Sequence, residues 1–124
     1  MWKKSLPLFF LALVLTGCSG TFTNLSASRQ LRNPNNVYPV GVSFLSRQQT
    51  LRWDSIKPLV IVGNESYPMN KTPLAENRWE GLVPVPPGAK VLEYRYKFEY
   101  EYNAFGPPQS DSALSPVYKL QILE

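Results

Sequence analysis

The sequence predicts an all-β fold, a single immunoglobulin-like β-sandwich of about six to seven antiparallel strands. Three observations predict it. No helical period persists over ten residues anywhere beyond the amino-terminal segment. Short apolar runs are broken throughout by Pro, Gly and Asn, and all but Pro7 of the 12 prolines lie after that segment. Most clearly, Leu92, Tyr94, Tyr96, Phe98, Tyr100 and Tyr102 alternate with Val91, Glu93, Arg95, Lys97, Glu99 and Glu101. A period of two held that long gives a strand one aromatic face and one charged face.

In chain order, residues 1–17 read as a signal peptide, 18–36 as a flexible tether and 37–124 as one sandwich domain that folds alone. The stretch after Cys18 is rich in Ser, Thr, Asn and Gly, with Arg29 and Arg32 but no apolar period. As a random coil it would span roughly 20–25 Å. Strands are expected over 38–45, 49–54, 58–62, 78–85, 90–102 and 117–123, with a short extra one near 67–70. Leu59-Val60-Ile61-Val62 is continuously apolar, which suits a central strand buried on both faces. Residues 104–116 hold Gly106-Pro107-Pro108 and Ser110-Asp111-Ser112, a loop composition. Tyr118, Leu120 and Ile122 then alternate with Lys119 and Gln121, so the last two strands should form a hairpin with a long tip. A strand over 90–102 would reach about 40 Å, longer than a sandwich usually needs. Its far end, with Tyr100, Tyr102 and Phe105, is expected to project toward a partner.

The amino terminus carries its own logic. Met1-Trp2-Lys3-Lys4 is a short basic start, followed by the apolar run from Leu6 to Leu15 and then Thr16-Gly17-Cys18-Ser19. The run is too short for an ordinary spanning helix, which needs about 20 apolar residues, and it has the order of a signal peptide. Leu15-Thr16-Gly17-Cys18 resembles the bacterial lipobox. That resemblance implies cleavage before Cys18 and a lipid on its sulfur, so the first partner is membrane lipid. Ser19 after the cysteine implies the outer membrane, with the domain facing the periplasm or the cell surface. Two acyl chains hold a protein stably where one does not.

Composition limits the chemistry. The chain has 124 residues, one cysteine and no histidine. Nucleophilic catalysis usually needs a base beside its nucleophile, and zinc, copper and iron sites draw on His and Cys. No metal site, no cofactor and no enzymatic activity are expected. Two carboxylate pairs remain, Glu99 with Glu101 and Glu76 with Glu80. Arg95 and Lys97 share a strand face with the first pair, the pattern of a solvated sheet surface. Of 13 basic residues, Lys3 and Lys4 leave with the signal, so the remainder nearly balance the 9 acidic ones. With the charges scattered, nucleic acid is not an expected partner.

Aromatics are the remaining resource. Val60-Ile61-Val62-Gly63-Asn64, Tyr67-Pro68-Met69, Asn77-Arg78-Trp79-Glu80-Gly81, the turn Pro86-Pro87-Gly88 and Tyr94-Arg95-Tyr96-Lys97-Phe98 follow one another over about 40 residues. This order resembles the starch- and glycogen-binding modules built on the immunoglobulin-like scaffold. The resemblance implies a structural role for Trp79 and a sugar hydrogen bond from Lys97. It supplies no stacking tryptophan after the first Gly turn, leaving Tyr67, with Tyr102 or Phe105, as the candidate stackers. The competing reading puts Tyr94, Tyr96 and Phe98 in the core, together with Trp53, which alternates within Leu51-Arg52-Trp53-Asp54 as a core strand would.

Two functions from different classes follow. One is an envelope lipoprotein whose non-catalytic sandwich serves as a protein-interaction or structural module, with another envelope protein as partner. The alternative is a tethered glycan-binding module. The candidate binding residues are Tyr67, Lys97, Tyr100, Tyr102 and Phe105, with Cys18 as the lipid attachment site.

Overall fold

The computed structural model describes residues 20–46 and 50–124. The signal peptide and Cys18 lie outside the described residues. Three strands come first: β1 (Gly20–Asn24), β2 (Arg29–Leu31) and β3 (Val37–Ser46). A 3-10 turn, Trp53–Ser55, leads into β4 (Lys57–Val62), β5 (Glu65–Pro68), β6 (Asn70–Lys71) and β7 (Arg78–Pro84). The long β8 (Val91–Tyr102), β9 (Gln109–Leu114) and β10 (Tyr118–Leu123) complete the chain.

These strands form two facing sheets around one core. The first has the order β1-β3-β7-β6, and the second β2-β10-β8-β4-β5 with β9 beside β8. An opening segment that visits both sheets, with this strand order, is immunoglobulin-like connectivity. Pairing is antiparallel throughout, except that β2 runs parallel to β10.

Alternation decides the core as expected. Leu92, Tyr94, Tyr96, Phe98 and Tyr100 of β8 are buried, and they meet Tyr38, Val40, Val42 and Phe44 of β3 and Trp79 and Val83 of β7. Burying each such side chain contributes about 1.5–3 kcal/mol before entropy is counted. The rings interlock edge to face: Phe98 meets Trp79 at 5.0 Å and 82°, and Phe22 at 5.3 Å and 90°. The charged face of β8 looks outward, where Glu99 lies near Lys57 and Lys97, Glu101 near Arg52, and Glu93 near Lys119. The β4–β5 connection turns on Gly63 and Asn64, with Gly63 at φ 60. A positive φ at the first of two loop residues suits a type II′ hairpin turn.

Four expectations are corrected. Among the described residues the strands number ten rather than six to seven, because β1, β2 and β9 were not foreseen and the extra strand near 67–70 resolves into β5 and β6. Residues 20–36 are not a tether. β1 pairs with β3 from Gly20↔Ser46 to Asn24↔Val42, and β2 pairs with β10, so the sandwich begins at Gly20 rather than Val37. Phe22 packs on the core, and a Cβ at Gly20 would stand 2.6 Å from the Phe44 ring, so any larger residue there has to displace that ring.

No strand forms over 50–54: Leu51 makes one bridge to Tyr102 and Trp53 enters the 3-10 turn; Gln49 lies outside the described residues. The 104–116 segment is not all loop: its second half holds β9, which pairs with β8 from Lys97↔Leu114 to Tyr102↔Gln109. The expected β8–β10 pairing is present at the other end of β8, from Tyr118↔Tyr94 to Gln121↔Val91. One edge of β8 is thus shared by two strands that meet at Ser115. Its backbone N–H bonds to Tyr96 O at 2.9 Å, and its Oγ accepts the Tyr96 N–H at 2.8 Å. β9 and the 3-10 turn therefore house the length that was expected to project.

A polar knot closes the gap where the chain leaves β1 for β2. The Tyr96 hydroxyl donates to Asn24 Oδ1 at 2.7 Å and lies 3.1 Å from Ser26 Oγ and from Gly41 O. Asn24 Nδ2 donates to the Tyr94 hydroxyl at 2.9 Å, and the Gly41 N–H donates to Ser26 Oγ at 2.8 Å. Burial pushes the Tyr96 hydroxyl well above the usual phenol range.

Candidate functional site

The predicted binding residues do not converge. Tyr100 is buried, 2 % exposed, and its hydroxyl has no hydrogen-bond partner among the described residues. Tyr102 is half-buried against the core, where Leu51 bridges it. Neither is the exposed stacker or projecting contact expected of it. β8 does not run clear of the sandwich, because Leu51, the 3-10 turn and β9 enclose its end.

Of the predicted binding residues, Phe105 alone stands fully in solvent, at the tip between β8 and β9. Tyr67 faces Val60 and Lys97 faces Leu59 across neighbouring pairs of the β5-β4-β8 ladder. Val60 is buried, so Tyr67 turns toward the core while Lys97 turns outward to Glu99 at 3.6 Å. A ring and an ammonium on opposite faces cannot grip one sugar. Trp79 is buried at 5 % exposure, in keeping with a structural role.

The carboxylate pairs fare similarly. Glu99 and Glu101 each face cations across the outer sheet surface. Glu80 Oε1 accepts a hydrogen bond from Thr72, while Glu76 holds Lys71 through its backbone oxygen at 2.8 Å. Among the described residues no group of three His, Cys, Asp or Glu gathers as a metal site.

Two other surfaces emerge. The first is a trough of about 850 Å³ along β3 and β7. Pro39, Gly41, Gly81 and Leu82 floor it. Leu25, Ala27 and Gln30 close one side, and Tyr67, Pro68 and Asn70 close the other, with Glu80 as its carboxylate. The trough exists because β1 pairs only with the second half of β3. Beside the first half the chain passes as a rim, tied by Leu25 N–H to Gly41 O at 2.8 Å and Gln30 Nε2 to Pro39 O at 3.2 Å.

The second is a cleft of about 440 Å³ lined by Leu45, Trp53, Lys71, Glu76, Asn77 and Trp79. Trp53 is 46 % exposed and lies parallel to the buried Trp79, at 6.5 Å and 8°. Lys71 Nζ sits 5.9 Å above the Trp79 ring and donates to Ala75 O and Glu76 O. Sequence reasoning assigned Trp53 to the core, because Leu51 and Trp53 alternate with charges. The signal that could have placed it is Asp54-Ser55, turn-forming residues shortly before Pro58. Ser55 Oγ indeed closes the turn on Arg52 O at 2.6 Å.

No protein-family model matches the chain, and no curated protein matches it.

Proposed function

We propose that the chain is a membrane-anchored bacterial envelope lipoprotein whose non-catalytic β-sandwich acts as a protein-interaction or structural module, held to membrane lipid through Cys18. The trough carries this reading. It is open, with an apolar floor of Pro39, Gly41, Gly81 and Leu82, and its one charged side chain is the carboxylate of Glu80. Such a surface suits an extended stretch of another envelope protein better than a reacting small molecule, which needs enclosure and convergent polar groups. The outer membrane, with the domain on its periplasmic or outer side, is the proposed location. Leu82→Asp places a charge on an already exposed position, so the melt should hold while a partner that co-purifies with the wild type is lost. Retention of every partner by that variant rejects the trough. Cys18→Ser tests the anchor, since lipid attachment should vanish and the signal should stay uncut.

A tethered glycan-binding module is the second reading, and one observation favours it. Trp53 presents a ring beside Lys71, Glu76 and Asn77, the donors and acceptors that sugar hydroxyls use. Retarded migration in gels containing glycogen, abolished by Trp53→Ala, is its test.

A further inference from the structure

Four exposed apolar side chains, among them the two most exposed, gather at one end of the sandwich. They are Leu45 at 56 %, Trp53 at 46 %, and Leu74 and Phe105, both fully exposed. They come from four separate places: the end of β3, the 3-10 turn, the β6–β7 loop and the β8–β9 tip. Backbone bonds tie these places together. Phe44 N–H donates to Asn77 O at 3.0 Å, Arg52 N–H to Glu101 O at 2.9 Å, and Asn103 N–H to Thr50 O at 2.9 Å. Leu74 sits there at φ 64, a left-handed conformation rare for a bulky residue, with its side chain wholly in water. Apolar side chains held outward on several loops of one end call for a surface, rather than a pocket, to cover them.

The path of the chain says which surface. β1 starts at this same end, where Gly20 pairs with Ser46 beside Leu45. Cys18 lies two residues before Gly20, so their Cα atoms are at most about 7 Å apart. An acylated Cys18 leaves no tether to hold the domain off the lipid. We propose that this end, with Leu45, Trp53, Leu74 and Phe105, rests in the interfacial layer of the phospholipid membrane that anchors the chain. The proposal depends on the lipoprotein reading of Cys18. Trp is suited to that layer, since its ring is apolar and its N–H polar. Among the described residues Arg52, Lys71 and Arg78 at this end are balanced by Asp54, Glu76 and Glu101. The described part of this end therefore carries no excess charge, and the contact it offers is apolar. It also claims for lipid the ring that the glycan reading needs, so both cannot hold.

The test uses the full chain purified from the membrane and returned to phosphatidylcholine vesicles carrying lipids brominated near the headgroup. With Trp2 removed alongside the signal, Trp53 and Trp79 are the remaining tryptophans. Bromolipid should quench roughly half or more of the Trp53 emission, the component missing in Trp53→Phe, equally at low and high salt. Leu74→Ser with Phe105→Ser should weaken that quenching at least about twofold with the melt unchanged. Mass spectrometry of the amino-terminal fragment reads the anchor separately: a free Cys18 thiol removes the lipoprotein reading and this proposal with it. An acylated chain whose Trp53 escapes bromolipid and meets aqueous iodide freely overturns the proposal alone. So does a soluble glucan that shifts Trp53 emission and relieves the lipid quenching.

Discussion

The Tyr96 hydroxyl on β8 donates a 2.7 Å hydrogen bond to Oδ1 of Asn24, 72 positions earlier, and so joins the two sheets at the point where the opening segment crosses between them. Tyr96 has no exposed surface, and Asn24 completes its own valence on Tyr94. Removing either partner breaks this bond: half-buried Asn24 keeps only Tyr94, or the buried Tyr96 hydroxyl keeps only its longer contacts to Ser26 and Gly41. Tyr96→Phe or Asn24→Ala should each cost about 1–3 kcal/mol in urea unfolding. The double variant should cost less than the sum, because the two residues share one network. Strict additivity would mean that the knot does not couple the sheets.

Stability should fall in alkali. Burial raises the hydroxyls of Tyr96, Tyr100 and Tyr118 above their ordinary value of 10.0. A raised folded-state pKa means the unfolded chain loses its protons first. The contribution is therefore whole below pH 10.0 and is lost as pH rises through the folded-state values. Tyr96→Phe should make the alkaline decline shallower without abolishing it, since two shifted tyrosines remain. The midpoint of urea unfolding, followed from pH 8 to 12, checks this.

A chain shortened to residues 37–124 should not melt cooperatively. It lacks β1 and β2, which cover one edge of each sheet, and it strips Phe22 from Phe44 at 4.8 Å and from Phe98 at 5.3 Å. A chain beginning at Gly20 should melt as the whole domain does. Circular dichroism on the two decides it, and equal melting would return residues 20–36 to the status of a tether.

Tyr100→Phe should be neutral or mildly stabilising. Its hydroxyl is buried with no partner among the described residues, so the variant removes a desolvated group and keeps the ring. Phe98→Ala, two residues away on the same face, should cost about 3–5 kcal/mol. A loss above about 1 kcal/mol in Tyr100→Phe would reveal a hydrogen bond to that hydroxyl.

What was legible in the sequence is what side-chain alternation encodes. β8 announces itself because large rings alternate with charges, and the sandwich follows from that strand and its apolar neighbours. β1 and β9 read as loop because Gly-Thr-Phe-Thr-Asn and Gln-Ser-Asp-Ser-Ala-Leu are mostly polar. They are strands because β3 and β8 offer them paired backbone, a tertiary effect that no local pattern carries. Trp53 misleads for the opposite reason: its alternation is genuine, yet Asp54 and Ser55 bend the chain before a ladder can form. The candidate site was legible only in part. Tyr67 reaches the trough and Phe105 is exposed, but the trough's floor comes from Pro39, Gly41, Gly81 and Leu82, whose neighbourhood depends on strand order alone.

The parallel pairing of β2 with β10 has a kinetic consequence. Arg29 aligns with Gln121, and Arg32 Nη2 reaches Glu124 Oε2 at 2.7 Å across 92 positions. Contacts between such distant parts of a chain form slowly, because a long loop must close before anything is gained. The segment made first thus waits for the segment made last. A chain threaded through a membrane amino end first could not close its second sheet until β10 had emerged. It would travel with β2 unpaired and the aromatic face of β8 uncovered along part of its length, the state most open to chaperones, proteases and wrong partners.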